Sequence, residues 1–534
     1  MKRFGVMLDM SRNAVMKPEE VKRFAKVLKS FGYNMLQLYM EDVYEVDGEP
    51  YFGYMRGRYT KTELKDIVKY CNGIGVEVIP CIQTLAHLNQ IFRWQEYRSI
   101  HDIADILLVG DSRTYELIEN MVKSLRSVFN SNYIHIGMDE AHLLGLGHYL
   151  QKNGVVNRFE ILQEHLKKVV SIVEKYFFTP IMWSDMFFRL ANNGEYYPKC
   201  PTVGDEIIDL TPKSIELAYW DYYHTDSSFY SNMIKAHKSF GNNLWFAGGA
   251  WTWTGFAPGN KRTIQTMQPA MSVVKQHGIE NILITLWGDN GKESSFYSVL
   301  PSLFAIKKFY EGETSIERIA KSFYEATGED FEAMMALDCP NNIKDNTCCT
   351  GNISKQWLYS DPFLGVLDTT VVREAKNEYL QYTNLLLHYA ENSKRYRYLF
   401  EFEAALCDLL SVKCDLGCRA REAYQSKNKA EMVKVCEEFS LAILKTEIFH
   451  EKFSALWHKE NKPHGFDVQD LRIGGLLQRL KSCQKRLQKY INGEMEDIPE
   501  LEEKLLQWTG GEKTETTTFS YLNDWSKNAT VNVI

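Results

Sequence analysis

Two adjacent carboxylates, Asp139 and Glu140, close the run Tyr133-Ile134-His135-Ile136-Gly137-Met138-Asp139-Glu140. The apolar alternation before them predicts a buried strand over 133–138. A buried strand rarely ends in two acids without a use for them. One reading is a helix N-cap, where acids are favoured by the orphan N–H groups. His135 and Gly137 just upstream argue against a simple cap, and other strand ends carry residues that argue against it further. Asp9 follows a first strand-like run; Tyr39, Glu41 and Asp42 follow a second; Gln83 and His87 a third. After Asp139 and Glu140 come Trp183 and Asp185, then Trp220, Asp221 and Tyr222, then Trp251 and Trp253, and finally Trp287 and Asp289. Indole faces beside carboxylates are the composition of a pyranose pocket: rings take the C–H faces and acids accept from hydroxyls. A metal site using His87 and His135 is the rival. It lacks a His-x-His pair after the first strand and any His at the ends of the fifth and sixth, so no metal and no cofactor are expected.

Eight strand-like segments must position these residues: 4–8, 34–39, 76–81, 133–138, 180–184, 216–220, 244–248 and 282–287. Amphipathic helical stretches separate them, among them 18–31, 61–73, 114–129, 158–176 and 265–277. Eight βα units predict an α/β fold, a (β/α)8 TIM barrel with its chemistry at the carboxyl ends of the strands. A doubly wound open sheet is the alternative, but no glycine-rich phosphate loop follows the first strand. Beyond residue 311 strand-like runs stop. Long helical stretches follow at 371–393, 396–413, 429–460 and 468–491, with a break at Asn461-Lys462-Pro463-His464-Gly465. The expected division is a catalytic barrel over 1–311 and a helical C-terminal domain over 312–534, with a weakly strand-like, Thr-rich tail over 514–534.

The 534 residues carry a net charge of −7 with no long basic run, so neither nucleic acid nor an anionic membrane is expected as a partner. No uncharged stretch is long enough to span a bilayer. The start is basic and then apolar, but Asp9 ends the apolar run too early for a secretory signal. Eleven cysteines, an odd number, fit reduced thiols, and a cytoplasmic location is expected. Cys407, Cys414 and Cys418 share roughly one helical face without a His at metal spacing and are read as buried thiols. Cys348-Cys349 has no evident role, and Asn352-Ile353-Ser354 and Asn528-Ala529-Thr530 match a glycosylation pattern that has no meaning without export. A homodimer through the helical domain is compatible with this pattern.

His135-Ile136-Gly137-Met138-Asp139-Glu140 resembles the His-x-Gly-x-Asp-Glu signature of family 20 glycoside hydrolases, the β-N-acetylhexosaminidases. Leu8-Asp9-Met10-Ser11-Arg12 resembles the family's first-strand Leu-Asp-x-Ser-Arg, and Leu286-Trp287-Gly288-Asp289 is similar to its last-strand Trp-Gly-Glu. Within the family, the hexosaminidase D-type branch is the most similar, through Glu41-Asp42, the run from Val78 to Thr84 with His87, and Trp220-Asp221-Tyr222. The resemblance covers residues 4–310. It implies removal of terminal β-linked GlcNAc or GalNAc from an oligosaccharide. The substrate's own 2-acetamido oxygen would be the nucleophile, since the family is an exception to the two-carboxylate scheme. By the same resemblance Glu140 is the general acid and base, Asp139 orients the acetamide N–H, and Tyr222 donates to the acetamide oxygen. A raised pKa is then expected at Glu140. Trp183, Trp220, Trp251 and Trp287 would wall the sugar, Glu41 and Asp289 would bind hydroxyls, and His87 would join them. His135 would bond a carboxylate. The chain departs from the family in three ways. Phe4 stands where an Arg usually precedes the first-strand Gly, leaving Arg12, or Arg56 and Arg58, to take its place. Ala250-Trp251-Thr252-Trp253 lacks the usual Tyr, for which Tyr222 is the replacement. The match begins directly at the barrel, with no accessory domain before it.

Overall fold

The computed structural model describes residues 2–344, 352–372 and 374–507. Cys348-Cys349, the Thr-rich tail and Asn528-Ala529-Thr530 lie outside them. The described residues group into two units. The first comprises Met1–Ala250, Thr263–Trp287 and Leu303–Ile319.

That unit is a closed barrel of eight parallel strands: β1 Arg3–Asp9, β2 Met35–Met40, β3 Glu77–Ile82, β4 Tyr133–His135, β5 Thr179–Trp183, β6 Glu216–Trp220, β7 Leu244–Gly249 and β8 Asn281–Leu286. Each strand pairs with its sequence neighbours, and β1 closes the ring against β8, with Val6 opposite Ile284 on one side and Leu36 on the other. The strands are buried almost throughout, as an all-parallel sheet requires. Their intervening helices start where local chemistry allows. Pro18 opens the first helix, and Thr60 and Glu63 form a reciprocal capping box on the second. Asp111, Asn157 and Asp226 cap later ones with their side chains.

The observed strands follow the expected ones within a residue or two, except at β4. The expected strand over 133–138 stops at His135. Gly137 and Met138 take φ of 70° and 69°, and Glu140 51°, left-handed conformations that end the pairing. Gly137 has no alternative residue: a Cβ there would stand 2.1 Å from the Gln83 side-chain oxygen and 2.8 Å from the Ile82 carbonyl. A short hairpin, His101–Ile103 with Ile106–Leu107, was not foreseen; its two- and three-residue strands leave no period to read.

The second unit comprises Trp251–Arg262, Gly288–Ser302 and Ala320–Ile534. Its long helices, Ala375–Asn392, Arg397–Lys413, Lys429–Glu460 and Phe466–Ile491, match the expected stretches closely. Against the expected division at residue 311, this grouping leaves the chain up to Ile319 with the barrel unit and adds two segments, those following β7 and β8, to the helical one. Phe256 from the first sits in an aromatic core with Phe449 (5.2 Å between centroids) and Phe453 (5.6 Å). No helix of the described residues is long and apolar enough to cross a membrane.

Candidate active site

The backbone reversal after β4 aims Asp139 and Glu140 in different surroundings. The Gln83 side chain, from the end of β3, sets the first. Its oxygen accepts from Met138 N (3.2 Å), and its amide nitrogen donates to Asp139 Oδ1 (2.7 Å) and to the Tyr39 hydroxyl (3.0 Å). Tyr39 donates onward to Glu41 Oε1 (3.0 Å), which also takes the Arg12 Nε–H (2.9 Å). One buried chain thus links β1, β2, β3 and β4 at their carboxyl ends.

His87 stands on the other side of Asp139. Its Nε2 is 3.3 Å from Asp139 Oδ2 and 3.9 Å from Glu140 Oε2, and its backbone N donates to Asp105 Oδ2 (3.0 Å). Burial opposes a charge on His87, but the Asp139 carboxylate outweighs it and raises the pKa to about 9. Burial likewise pushes Asp139 up. The His87 charge and hydrogen bond, with the Gln83 amide, pull harder and hold it below the usual carboxylate range. At neutral pH the pair is imidazolium and carboxylate.

Glu140 is placed oppositely. Burial, then the charges of Asp139 and Asp185, push it up to about 7, against a weaker pull from His87 and Arg189. Asp185, fully buried after β5, accepts from Glu140 N (3.1 Å) and from Arg189 Nε (3.0 Å). Arg189 Nη2 is 3.5 Å from Glu140 Oε1. The Glu140 side chain is still 40% exposed, whereas that of Asp139 is 10% exposed. The acid with the raised pKa therefore faces outward and the charged one inward.

Aromatic rings line the same strand ends. Trp183 lies 6.2 Å from Trp287, and Trp287 meets Tyr39 edge-on at 4.8 Å. Trp220 stacks on Tyr222 at 5.3 Å and 22°. The Trp287 indole donates to the Tyr222 hydroxyl (3.1 Å), and burial keeps Tyr222 protonated by raising its pKa well above the usual value. Tyr222 is therefore a hydrogen-bond donor at any working pH.

His135 does not bond a carboxylate, contrary to expectation. It is fully buried, packs on Trp183 at 4.3 Å, and its Nδ1 accepts from Gly137 N (3.2 Å). Burial lowers its pKa to about 3, so it stays neutral. The histidine beside the carboxylates is His87. Arg56 pairs with Asp42 (3.2 Å) and Arg58 donates to loop carbonyls, while Arg12 is the arginine joined to the carboxylate chain. Trp251 and Asp289 belong to the helical unit. There Trp251 is buried and stacked on Trp253 (4.5 Å), and Asp289 is half-buried at the start of a short turn, Asp289–Gly291. Arg189 and Asp105 escaped the sequence reading. Arg189 had a signal, an Asp185–Arg189 pair at i, i+4 just after a strand end. Among the described residues no group of three or more His, Cys, Asp or Glu is arranged to hold a metal ion.

Comparison with known proteins places this architecture. The model for the glycosyl hydrolase family 20 catalytic domain matches residues 3–276, and that for the glycoside hydrolase 20C C-terminal domain matches residues 329–520. The chain belongs to glycosyl hydrolase family 20. It is similar to hexosaminidase D of Bos taurus (22% identity, covering 37% of this chain and 56% of that protein) and of Homo sapiens (22%, covering 41% and 44%). It thus spans about half the length of these relatives. Among solved structures, the family 20 β-N-acetylhexosaminidase of Streptomyces coelicolor is similar at 20% identity and a TM-score of 0.44, over 61% of this chain and 69% of that one. A chitobiase of Flavobacterium johnsoniae is similar at 16% identity and 0.48, over 94% and 74%.

Proposed function

We propose that the protein is an exo-acting β-N-acetylhexosaminidase that removes terminal β-linked GlcNAc or GalNAc with retention, through an oxazolinium intermediate. One observation carries this reading: two neighbouring acids sit in opposite surroundings, Asp139 closed in between the Gln83 amide and His87, and Glu140 partly open to solvent beside Asp185 and Arg189, which keeps Asp139 charged and raises Glu140. Adjacent residues on one strand end cannot flank an anomeric carbon from both faces, so they do not suit the nucleophile-and-acid scheme. They do suit a substrate that supplies its own nucleophile. The Asp139 carboxylate accepts from the acetamide N–H, turns its oxygen toward C1 and stabilises the charge that develops. Tyr222 donates to that oxygen. Glu140 protonates the departing glycosidic oxygen and then takes a proton from the water that opens the ring. Holding the acetamide in attack geometry makes the step intramolecular, with effective molarities of about 10⁵ M or more.

Trp183, Trp220 and Trp287 are the ring faces for the sugar and its acetamide, and Arg12 and Glu41 the partners for its outer hydroxyls. The nine described cysteines are all free thiols, which supports substrates met in a reducing cytoplasm. Active protein recovered mainly outside the cell would contradict that location. The experiment for the activity is hydrolysis of an aryl β-N-acetylglucosaminide beside the matching aryl β-glucoside. Cleavage of the acetamido sugar alone is expected; equal cleavage of both would remove the acetamide from the mechanism.

A further inference from the structure

After β2 the chain makes a long excursion before the helix Lys61–Gly73, and this loop is pinned throughout. Its ends pair: Glu45 N donates to Tyr59 O and Tyr59 N to Val43 O, each at 2.9 Å. Inside it, Glu49 is buried and receives both arms of the Arg113 guanidinium (2.8 and 2.6 Å) and the Asn120 amide (3.0 Å). Phe52 is buried edge-on against Tyr44 (5.2 Å). Gly53, at φ 66°, presses so close that a Cβ would stand 2.0 Å from the Asp42 carbonyl. Such closed, self-packed Ω-loops commonly carry function.

A loop this firmly anchored has every means to bury its apolar side chains, yet its tip shows them to solvent. Tyr51 is 44% exposed, Tyr54 41% and Met55 68%. The two tyrosines meet Trp94, from the loop after β3, in a three-ring cluster with centroids 5.6 Å (Tyr51–Trp94), 5.5 Å (Tyr54–Trp94) and 6.2 Å (Tyr51–Tyr54) apart. The exposed Arg93 guanidinium lies 5.3 Å from the Trp94 ring. The cluster is tied to the catalytic end of the barrel. Arg56, next to Met55, bonds both Asp42 and the Ser11 carbonyl, and Ser11 Oγ accepts from Glu41 N (2.7 Å). The same loops that bear Glu41 and His87 therefore bear this patch.

We propose that Tyr51, Tyr54 and Trp94 form a stacking platform for the aglycone sugar, the residue that follows the terminal N-acetylhexosamine. The inference rests on the glycosidase reading above and assigns its substrate class: chains of at least two sugars. Flat rings with polar edges match a pyranose, whose C–H face is apolar and whose rim is hydroxylated. Arg93 supplies donors beside the ring. A cluster of contacting aromatics on a rigid rim, two of its rings exposed and the third, Trp94, half-buried, is the kind of patch that marks a binding surface.

The test uses the whole chain and two substrates, triacetylchitotriose and methyl β-N-acetylglucosaminide, the second having no aglycone ring. The readout is the ratio of their kcat/KM values. In Trp94→Ala and in the Tyr51→Ala Tyr54→Ala double variant the ratio is expected to fall roughly tenfold, and in Trp94→Phe it is expected to hold. A ratio within about twofold of wild type in both alanine variants overturns the platform. If the wild type cleaves neither sugar, the glycosidase reading has failed. Calorimetry with triacetylchitotriose then decides the platform alone: binding weakened about tenfold by Trp94→Ala supports it, and equal or absent binding overturns it.

Discussion

The molecule holds two buried clusters of charge, one in each unit, and they are built to opposite ends. In the helical unit, Lys355 and Glu293 are both buried to within 1% of full. Lys355 Nζ reaches the two Glu293 oxygens at 2.6 and 2.8 Å, and Arg472 adds a third contact at 3.2 Å. Burial lowers the Lys355 pKa only to about 8 because Glu293 holds the charge. Glu293 is closed off from solvent and both of its oxygens are paired. At the barrel mouth, Asp139, Glu140 and Asp185 crowd against one imidazolium and one guanidinium. The acids outnumber the cations, and Glu140 is left near 7 with its side chain partly open to solvent. A structural ion cluster satisfies its members; a reactive one leaves a proton where it can be given away.

That contrast is breakable. Glu140→Gln removes the proposed proton donor, and kcat is expected to fall roughly 10²–10⁴-fold on substrates with poor leaving groups, with little change in thermal stability. A near-normal rate removes Glu140 from the acid's role. Lys355→Ala should do the reverse. Leaving the buried Glu293 with Arg472 as its one remaining cation is expected to cost up to about 3–5 kcal/mol in denaturant unfolding, while the paired change Lys355→Met Glu293→Leu recovers most of it. Tolerance of the single change would show that Glu293 does not depend on Lys355. His87→Gln sharpens the comparison through pH. The imidazolium lowers both carboxyls, so its loss lets Asp139 and Glu140 protonate at higher pH. Both limbs of the kcat/KM profile should move upward by about one pH unit. Asp185→Asn removes a negative charge that raises Glu140, so the basic limb should move to lower pH by a smaller amount.

The barrel was legible because its strands are continuous apolar runs and its helices carry the 3.6-residue period and clear caps. β4 is shorter than its apolar run suggests because hydropathy does not register the left-handed turn at Gly137 and Met138. The Asp139-Glu140 pair stood out as two acids at a buried strand's end. The choice of histidine did not. His135 is two residues from the turn and belongs to the strand's packed interior, while His87 reaches Asp139 across a different loop, a tertiary contact no local spacing records. Arg189 and Gln83 act on the carboxylates in the same long-range way. The grouping of Trp251 and Asp289 with the helical unit was equally hidden, since the segments after β7 and β8 read as ordinary barrel loops.

The central claim is that Glu140 holds its proton near neutrality beside a charged Asp139. The direct measurement is kcat/KM on a β-N-acetylglucosaminide with a poor leaving group, followed from about pH 4 to pH 9 in the wild type and in Glu140→Gln. With Glu140 as the proposed acid, the wild-type rate is predicted to fall as pH rises through about 7, and that fall should be missing from the variant. A variant that keeps the same fall at the same pH would contradict the account.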